Sequence, residues 1–483
     1  MNSLKGNVVL NVINTITSII FPVITFPYAS RILTPEGIGA VNFLFSIVQY
    51  VVLLTSIGIP MYAIREIAKY RDDRRLRNNI AVEIIILHLI LSLFGYVIIY
   101  LLGRFVPQIH DQLELLYILS LTVLFNCIGV NWFYQGIEDF LFITVRAVIV
   151  RTLAAAALFI FVKDRSDLLI YGAVVVGTSV GNNLFNFIHL RSHISLKDID
   201  FGSLNIMRHF RPALHIFVFN LITSIYVHLD SVMLGFMKGD TSVGLYTAGV
   251  KLSHIILSVV TSLGVVMIPR CSNLIQQGEH DKFAGISRKA IRLVVFAALP
   301  MAAGLMLTAQ PVIALFCGSE FMMSVPVLYW VSPIILFVGI TNVLGLQILY
   351  PQNRENIVIW SVAGGAAVNF LLNLVLIPVY AQKGAAAATF CAELTVLCLQ
   401  IVLGRRYIPF KFTDCRFMPY VAAVAVMIAA VLPVVLFVRG PLLQILLSVS
   451  VGCAVYCGYL LLRRDDTIMD IKGFLLKTVA KRC

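Results

Sequence analysis

A small set of ionisable side chains stands inside long apolar runs: Arg31, His88, Arg151, Asp230, Lys251, His254 and Glu393. A charge in hydrocarbon costs at least about 2.5–3.5 kcal/mol, so each needs a partner or a water-filled cavity. Asp230 and Lys251 lie on either side of one turn, between Lys238 and Gly244. At the helical rise per residue, each sits about 10–12 Å below the same surface. That placement suits a buried ion pair. It equally suits a division of roles, with Lys251 holding an anion while Asp230 titrates or positions it. His254 follows Lys251 by one helical step and shares its face.

Glu393 lies in the run FCAELTVLC with no basic neighbour in sequence. An isolated carboxyl in such surroundings is pushed toward protonation, the property of an ion-coupling group, and a neutral acid hydrogen-bonded between helices fits as well. His88 and His254, near mid-depth, read as interhelical hydrogen-bond donors or as proton carriers. Arg31 closes an apolar stretch and can snorkel to the interface. Arg151 is deeper and has no acid nearby on its own stretch. If Arg151 and Lys251 both face inward they line a cationic cavity, for which a diphosphate is a suitable guest because guanidinium groups bind phosphate oxygens bidentately.

The elements that must position these groups emerge from composition. The chain has 483 residues, 59% hydrophobic and 13% charged, with a formal charge of +13. Soluble proteins hold roughly 45–50% apolar and about 25% charged residues, so a water-soluble enzyme is excluded. Fourteen apolar stretches, from about 8–30 to about 442–462, are each long enough to cross a bilayer. On a polytopic chain the positive charge belongs to cytoplasmic loops rather than to nucleic-acid binding. Most of the 37 Lys and Arg residues fall in alternate connections, which places both termini in the cytoplasm. The most basic connection, Arg65 to Arg77, reads as contact with anionic head groups or as a collector of an anionic lipid-linked substrate.

A weak repeat organises the stretches. GAVNFLFSIVQYVVLLTSIG, from Gly39, lies over GLYTAGVKLSHIILSVVTSLG, from Gly244. The seventh and eighth stretches thus correspond to the first and second. The expected fold is all-α and polytopic, with about fourteen transmembrane helices in two pseudo-symmetric six-helix lobes plus two C-terminal helices. The lobes are assigned to residues 1–206 and 207–406, helices 13 and 14 to 407–462, and a basic cytoplasmic tail to 463–483.

Several classes drop out. The nine cysteines form no CxxC pair and no His/Cys cluster at metal spacing, so they read as free thiols, with no metal and no cofactor. No GxxxxGK[ST] or GxGxxG opens a helix, which argues against ATP-driven pumping by this chain. The N-terminal apolar run exceeds a signal peptide and reads as an uncleaved helix. Prolines 22, 27, 269, 300, 333 and 378 fall within or at the ends of stretches, where they can bend helices.

A set of strings then carries a family resemblance: FPYASRILTPEGIGAVNF at Phe26, NWFYQGIED at Asn131, LDSVMLG at Leu229, VGLYTAGVKL at Val243, GSEF at Gly318, and AVNFLLNLVLIPVYAQKGAAAAT from Ala367, followed by Glu393. In this order they resemble the Wzx-type polysaccharide flippases of the multidrug/oligosaccharidyl-lipid/polysaccharide exporter superfamily, across essentially the whole chain. The resemblance implies a non-enzymatic, two-lobed, alternating-access transporter. Its cargo would be undecaprenyl-diphosphate-linked oligosaccharide, moved between leaflets of the bacterial inner membrane for O-antigen, capsule or exopolysaccharide synthesis. It also implies coupling to a proton or sodium gradient, membrane lipid and polysaccharide polymerase machinery as partners, and no nucleic acid.

The resemblance supports Arg31, Asp230 and Glu393 as family-like positions, while Arg151 and Lys251 rest on burial. Three rivals stand beside it. A multidrug antiporter of the same superfamily should present acids to cationic drugs, against the basic residues here. A lipid II flippase would share the diphosphate and differ in the glycan. A membrane polymerase or ligase would need a large catalytic outer loop, and none of the connections is long enough.

Overall fold

A computed structural model describes residues 4–194, 199, 202, 204–265, 267–470 and 472–473; Lys477, Lys481 and Arg482 of the expected basic tail lie outside them. The elements assigned in the described residues are helical, without a β-strand. The chain divides into two compact units, Met1–Gly244 and Leu245–Cys483. Compactness therefore places the boundary one crossing beyond residue 206, where the repeat would put it.

The first unit contains α1 (Leu4–Ser56), α2 (Ile59–Lys69), α3 (Arg74–Phe105), the single turn α4 (Pro107–His110), α5 (Leu113–Ile128), α6 (Asn131–Gly136), α7 (Phe140–Phe161), α8 (Leu168–Leu190) and α9 (Phe210–Lys238). α1 packs against α3, α5, α7 and α9, and α8 closes the bundle against α5 and α7. With 53 residues α1 is about 80 Å long, more than twice the roughly 30 Å of a hydrocarbon core. Thr34 breaks it at φ 63° and ψ 172°, immediately before Pro35. Proline disfavours helical geometry in the residue preceding it, so the break falls where the first two apolar stretches were separated. Two later helices open on aspartate caps: Asp73 accepts from the Leu76 amide at 3.1 Å at the start of α3, and Asp139 from the Phe142 amide at 3.2 Å at the start of α7.

The remaining helices are α10 (Asp240–Val265), which begins in the last residues of the first unit and carries the chain into the second, then α11 (Ile268–Gln276), α12 (His280–Leu307), α13 (Ala309–Phe316), α14 (Val325–Val331), α15 (Ile334–Asn342), α16 (Glu355–Tyr380), α17 (Gln382–Gly404), α18 (Met418–Phe437) and α19 (Pro441–Leu462). α16 pairs with α17, α18 pairs with α19, and α12 packs against α15 and α18. The tenth expected stretch is not one straight helix. Pro333 separates α14 from α15, and a π-helical segment, Val343–Leu349, succeeds α15. Crossing eight also ends earlier than expected: α10 stops at Val265, and Pro269 lies in the first turn of α11, where its missing N–H is harmless.

Twelve helices among the described residues are long and apolar enough to cross a membrane, against the fourteen expected. Two causes account for the difference. α1 carries the first two stretches as one helix across the Thr34 break, and α9 is not among the twelve. The multi-pass architecture itself holds.

The sequence repeat has a structural counterpart in each unit. After TSIG, α2 opens with Ile59 and Pro60; after TSLG, α11 opens with Ile268 and Pro269. Both are short and amphipathic, and neither was legible as a separate element in the sequence. Gly58, at φ 69°, starts α2 against the first turns of α9. A Cβ there would lie 2.4 Å from the Ala213 carbonyl oxygen.

Candidate functional site

In the first unit the most chemically loaded helix is α7, which begins where Asp139 caps it and buries Arg146 to 7% exposure. The guanidinium lies over the Phe142 ring, 5.5 Å from its centroid. Its Nε donates to Asn182 Oδ1 on α8 at 3.0 Å, and its Nη2 donates to Asn131 Oδ1 on α6 at 3.2 Å. Nη1 is buried and has no hydrogen-bond partner among the described residues. Arg151, half-buried five residues further along α7, donates through Nη1 to the Asn14 carbonyl at 3.1 Å, to Asn14 Oδ1 at 2.9 Å and to Thr17 Oγ1 at 2.8 Å, all on α1. The two arginines are close enough to repel one another.

Every one of those acceptors is a neutral oxygen. Amide and hydroxyl dipoles reduce the cost of burying a guanidinium but cancel none of its charge. Among the described residues, α7 therefore presents two positive charges with no ion-pair partner, amid carboxamides. Asn182 is held in place by donating to the Thr178 carbonyl at 2.6 Å, and neighbouring Asn186 donates to the Gly129 carbonyl. Tyr134 OH in turn donates to the Asn186 carbonyl at 2.7 Å.

The other sequence candidates are spread over both units. Asp230, 5% exposed on α9, interacts electrostatically with Tyr50 of α1, whose ring meets the His228 ring edge-on at 6.1 Å between centroids. Lys251 is half-buried on α10 in the second unit, where Cys317 is an electrostatic neighbour. His254 is exposed, although it follows Lys251 by three residues. Glu393 is half-buried on α17, one turn after Thr389, whose hydroxyl lies 3.0 Å from Tyr246 OH. Arg31 is exposed on α1. His88 on α3 is 2% exposed, with neither ring nitrogen hydrogen-bonded among the described residues.

Within the first unit, then, Arg151 is brought beside a second guanidinium that sequence reasoning did not single out. The signal was present: FITVRAVIVR places Arg146 five residues ahead of Arg151 in one apolar run. Glu83, 1% exposed near the start of α3, was missed as well because it stands close to the predicted interface. Among the described residues no group of three or more His, Cys, Asp and Glu side chains could hold a metal ion.

A multi-pass helical bundle with such an interior has relatives. Residues 3–275 match the polysaccharide biosynthesis protein family. The chain belongs to that family. The "Putative O-antigen transporter" of Escherichia coli (strain K12) is 22% identical over 403 residues, covering 83% of this chain and 97% of that one. Among solved structures, "Lipid II flippase MurJ, inward closed conformation" superposes with a TM-score of 0.74 at 15% identity, covering 95% of this chain and 99% of the other. A "multidrug resistance MATE family transporter of the MOP superfamily", in its inward-facing conformation, gives 0.64 at 15% identity, covering 83% and 98%. The resemblance read from the sequence motifs is borne out by the family match and by the fold.

Proposed function

We propose that the chain is a flippase for undecaprenyl-diphosphate-linked oligosaccharide, carrying it from the cytoplasmic to the outer leaflet of the bacterial inner membrane for surface polysaccharide assembly. The observation that carries this reading is the pair Arg146 and Arg151, two guanidinium groups whose hydrogen bonds all go to neutral oxygens. A diphosphate supplies the missing negative charge, and Arg146 Nη1 has a donor to give it. The surrounding carboxamides suit sugar hydroxyls, and the polyprenyl tail stays in lipid. In the second unit Lys251 provides a further cation for an anionic group, and Arg31 provides one at the interface. Both termini are cytoplasmic.

Return of the empty carrier is driven by an ion gradient, proton or sodium, with Glu393, Asp230, His254 and His88 as the coupling groups. A second reading, lipid II as the cargo, is favoured by the extent of the MurJ superposition. Both cargoes share the diphosphate, so only the glycan separates them.

The test is translocation in proteoliposomes with fluorescent undecaprenyl-diphosphate oligosaccharides and an impermeant glycosidase reporting which leaflet they occupy. Faster exchange than in empty liposomes, lost in Arg146→Ala, supports the proposal. Exchange of lipid II alone would transfer the assignment to the second reading. Exchange of neither, with cationic dyes exchanged for protons, would overturn both.

A further inference from the structure

One buried cluster in the first unit has no part in holding a diphosphate. Glu83 projects from α3 and is 1% exposed. It gathers the segment that leads into α9: the Asn205 amide donates to Oε1 at 2.7 Å, and Arg208 donates through Nε to Oε2 at 2.9 Å. Arg208 Nη2 lies 2.6 Å from the same oxygen. His209, 2% exposed, donates from Nε2 to Glu83 Oε2 at 2.6 Å and accepts at Nδ1 from Tyr62 OH of α2 at 2.8 Å. A single carboxylate thus ties α2, α3 and residues 205–209 into one hydrogen-bonded chain.

The neutral imidazole satisfies both contacts, with one nitrogen donating and the other accepting. We propose that the Glu83–His209 pair is a proton-binding site, and that its occupancy fixes or frees the segment entering α9. With His209 neutral, the charge of Glu83 is balanced by Arg208. A proton on His209 places a second cation beside one carboxylate, in a position closed to water, and the segment loosens. Among the described residues, the charged and titratable groups facing His209 come from three elements. From α2 come Tyr62, Glu66 and, beyond the tyrosine ring, Arg65; from α3 comes Glu83; from its own segment comes Arg208. Arg211 and His215, on the first turns of α9, are exposed.

Burial holds the imidazole below its ordinary range, partly offset by the Glu83 carboxylate. An imidazole with a lowered native pKa binds fewer protons folded than unfolded. The clasp is therefore whole above about pH 6.5 and weakens as pH falls toward the lowered native value. One proton allows at most about a tenfold change per pH unit.

The test is hydrogen–deuterium exchange of the full chain in lipid nanodiscs, with protection at residues 204–210 corrected for intrinsic rates, between about pH 5 and about 8. Wild type should lose protection there on acidification while α16 and α17 keep theirs. His209→Gln, which retains a donor for Glu83 but does not titrate, should give a flat profile. Glu83→Gln should lower protection at every pH and serves if the first variant does not fold. An unchanged wild-type segment, or the same pH response in His209→Gln, overturns the proposal.

This proton site stands apart from the flippase reading, and the two fail separately. A pH-responsive segment in a protein that moves no lipid-linked glycan would sink that reading and leave the proton site standing. Glycan movement with a pH-insensitive segment would do the reverse.

Discussion

Arg146 Nε lies 3.0 Å from Asn182 Oδ1, so a buried cation is satisfied by an amide where a carboxylate of almost the same size would fit. Asn182→Asp should turn this contact into an ion pair that cancels the Arg146 charge, leaving that of Arg151 and giving up the bond from the Asn182 amide to the Thr178 carbonyl. Hydrogen bonds to charged groups contribute about 1.5–3 kcal/mol, so transport should fall on the order of tenfold to a hundredfold. Undiminished glycan translocation by Asn182→Asp would remove Arg146 from the anion site.

Lys251 gives a second test of the same idea in the other unit. Lys251→Arg keeps the charge and should retain more transport than Lys251→Ala in the proteoliposome assay. Equal transport by the two variants would leave Lys251 without a role in cargo binding.

Thr34 occupies backbone space that glycine enters without cost, at φ 63° and ψ 172°. Such conformations cost a residue with a Cβ on the order of 1–3 kcal/mol. Thr34→Gly should raise the unfolding midpoint in detergent by a few degrees. A lowered midpoint would show that contacts of the threonine side chain outweigh the backbone strain.

Gly39 and Gly244 open the two copies of the sequence repeat. A Cβ on Gly39 would stand 1.7 Å from the Asp240 carbonyl oxygen, and one on Gly244 would stand 1.8 Å from that of Pro35. Backbone cannot yield as a side chain can, so either alanine substitution should cost at least about 1–3 kcal/mol. Differential scanning fluorimetry of Gly39→Ala and Gly244→Ala checks this, and wild-type midpoints in both would refute the packing.

Arg292 clasps the segment that comes after α19, with Nη2 3.1 Å from Asp465 and Nη1 3.1 Å from Asp466. Arg292 and Asp465 are largely buried, at 14% and 7% side-chain exposure, so removing one partner is costly. Arg292→Ala should expose residues 464–473 to limited proteolysis while the helices before them survive. Equal resistance in wild type and variant would show that the segment is held by other contacts.

How far the sequence could be read depended on how local each signal was. Apolar stretches show themselves within one window, and the Thr34 break falls in the gap between the first two of them, although Pro35 was not among the prolines singled out. α2 and α11 were absorbed into their neighbours because a short amphipathic helix beside a long apolar one leaves no gap in hydropathy. The acceptors of Arg146 and the donors to Glu83 were beyond reach for a different reason. Asn182 stands 36 residues from Arg146, and Asn205 stands 122 from Glu83, so only the packed bundle brings them together. Arg151 was found because its charge is conspicuous in an apolar run, and its neutral partners on α1 were not, because asparagine and threonine are unremarkable in a helix.

The meeting of Gly39 with the turn around Gly244 also bears on how such a chain can change over generations. Elsewhere the two copies of the repeat match only weakly, yet the first residue of each is held against the backbone that leads into the other. Two positions far apart in the gene act as one inherited constraint. A lineage that lost either glycine would have to remake the turn at Pro35 or at Asp240 in the same step, which point mutations taken singly do not supply.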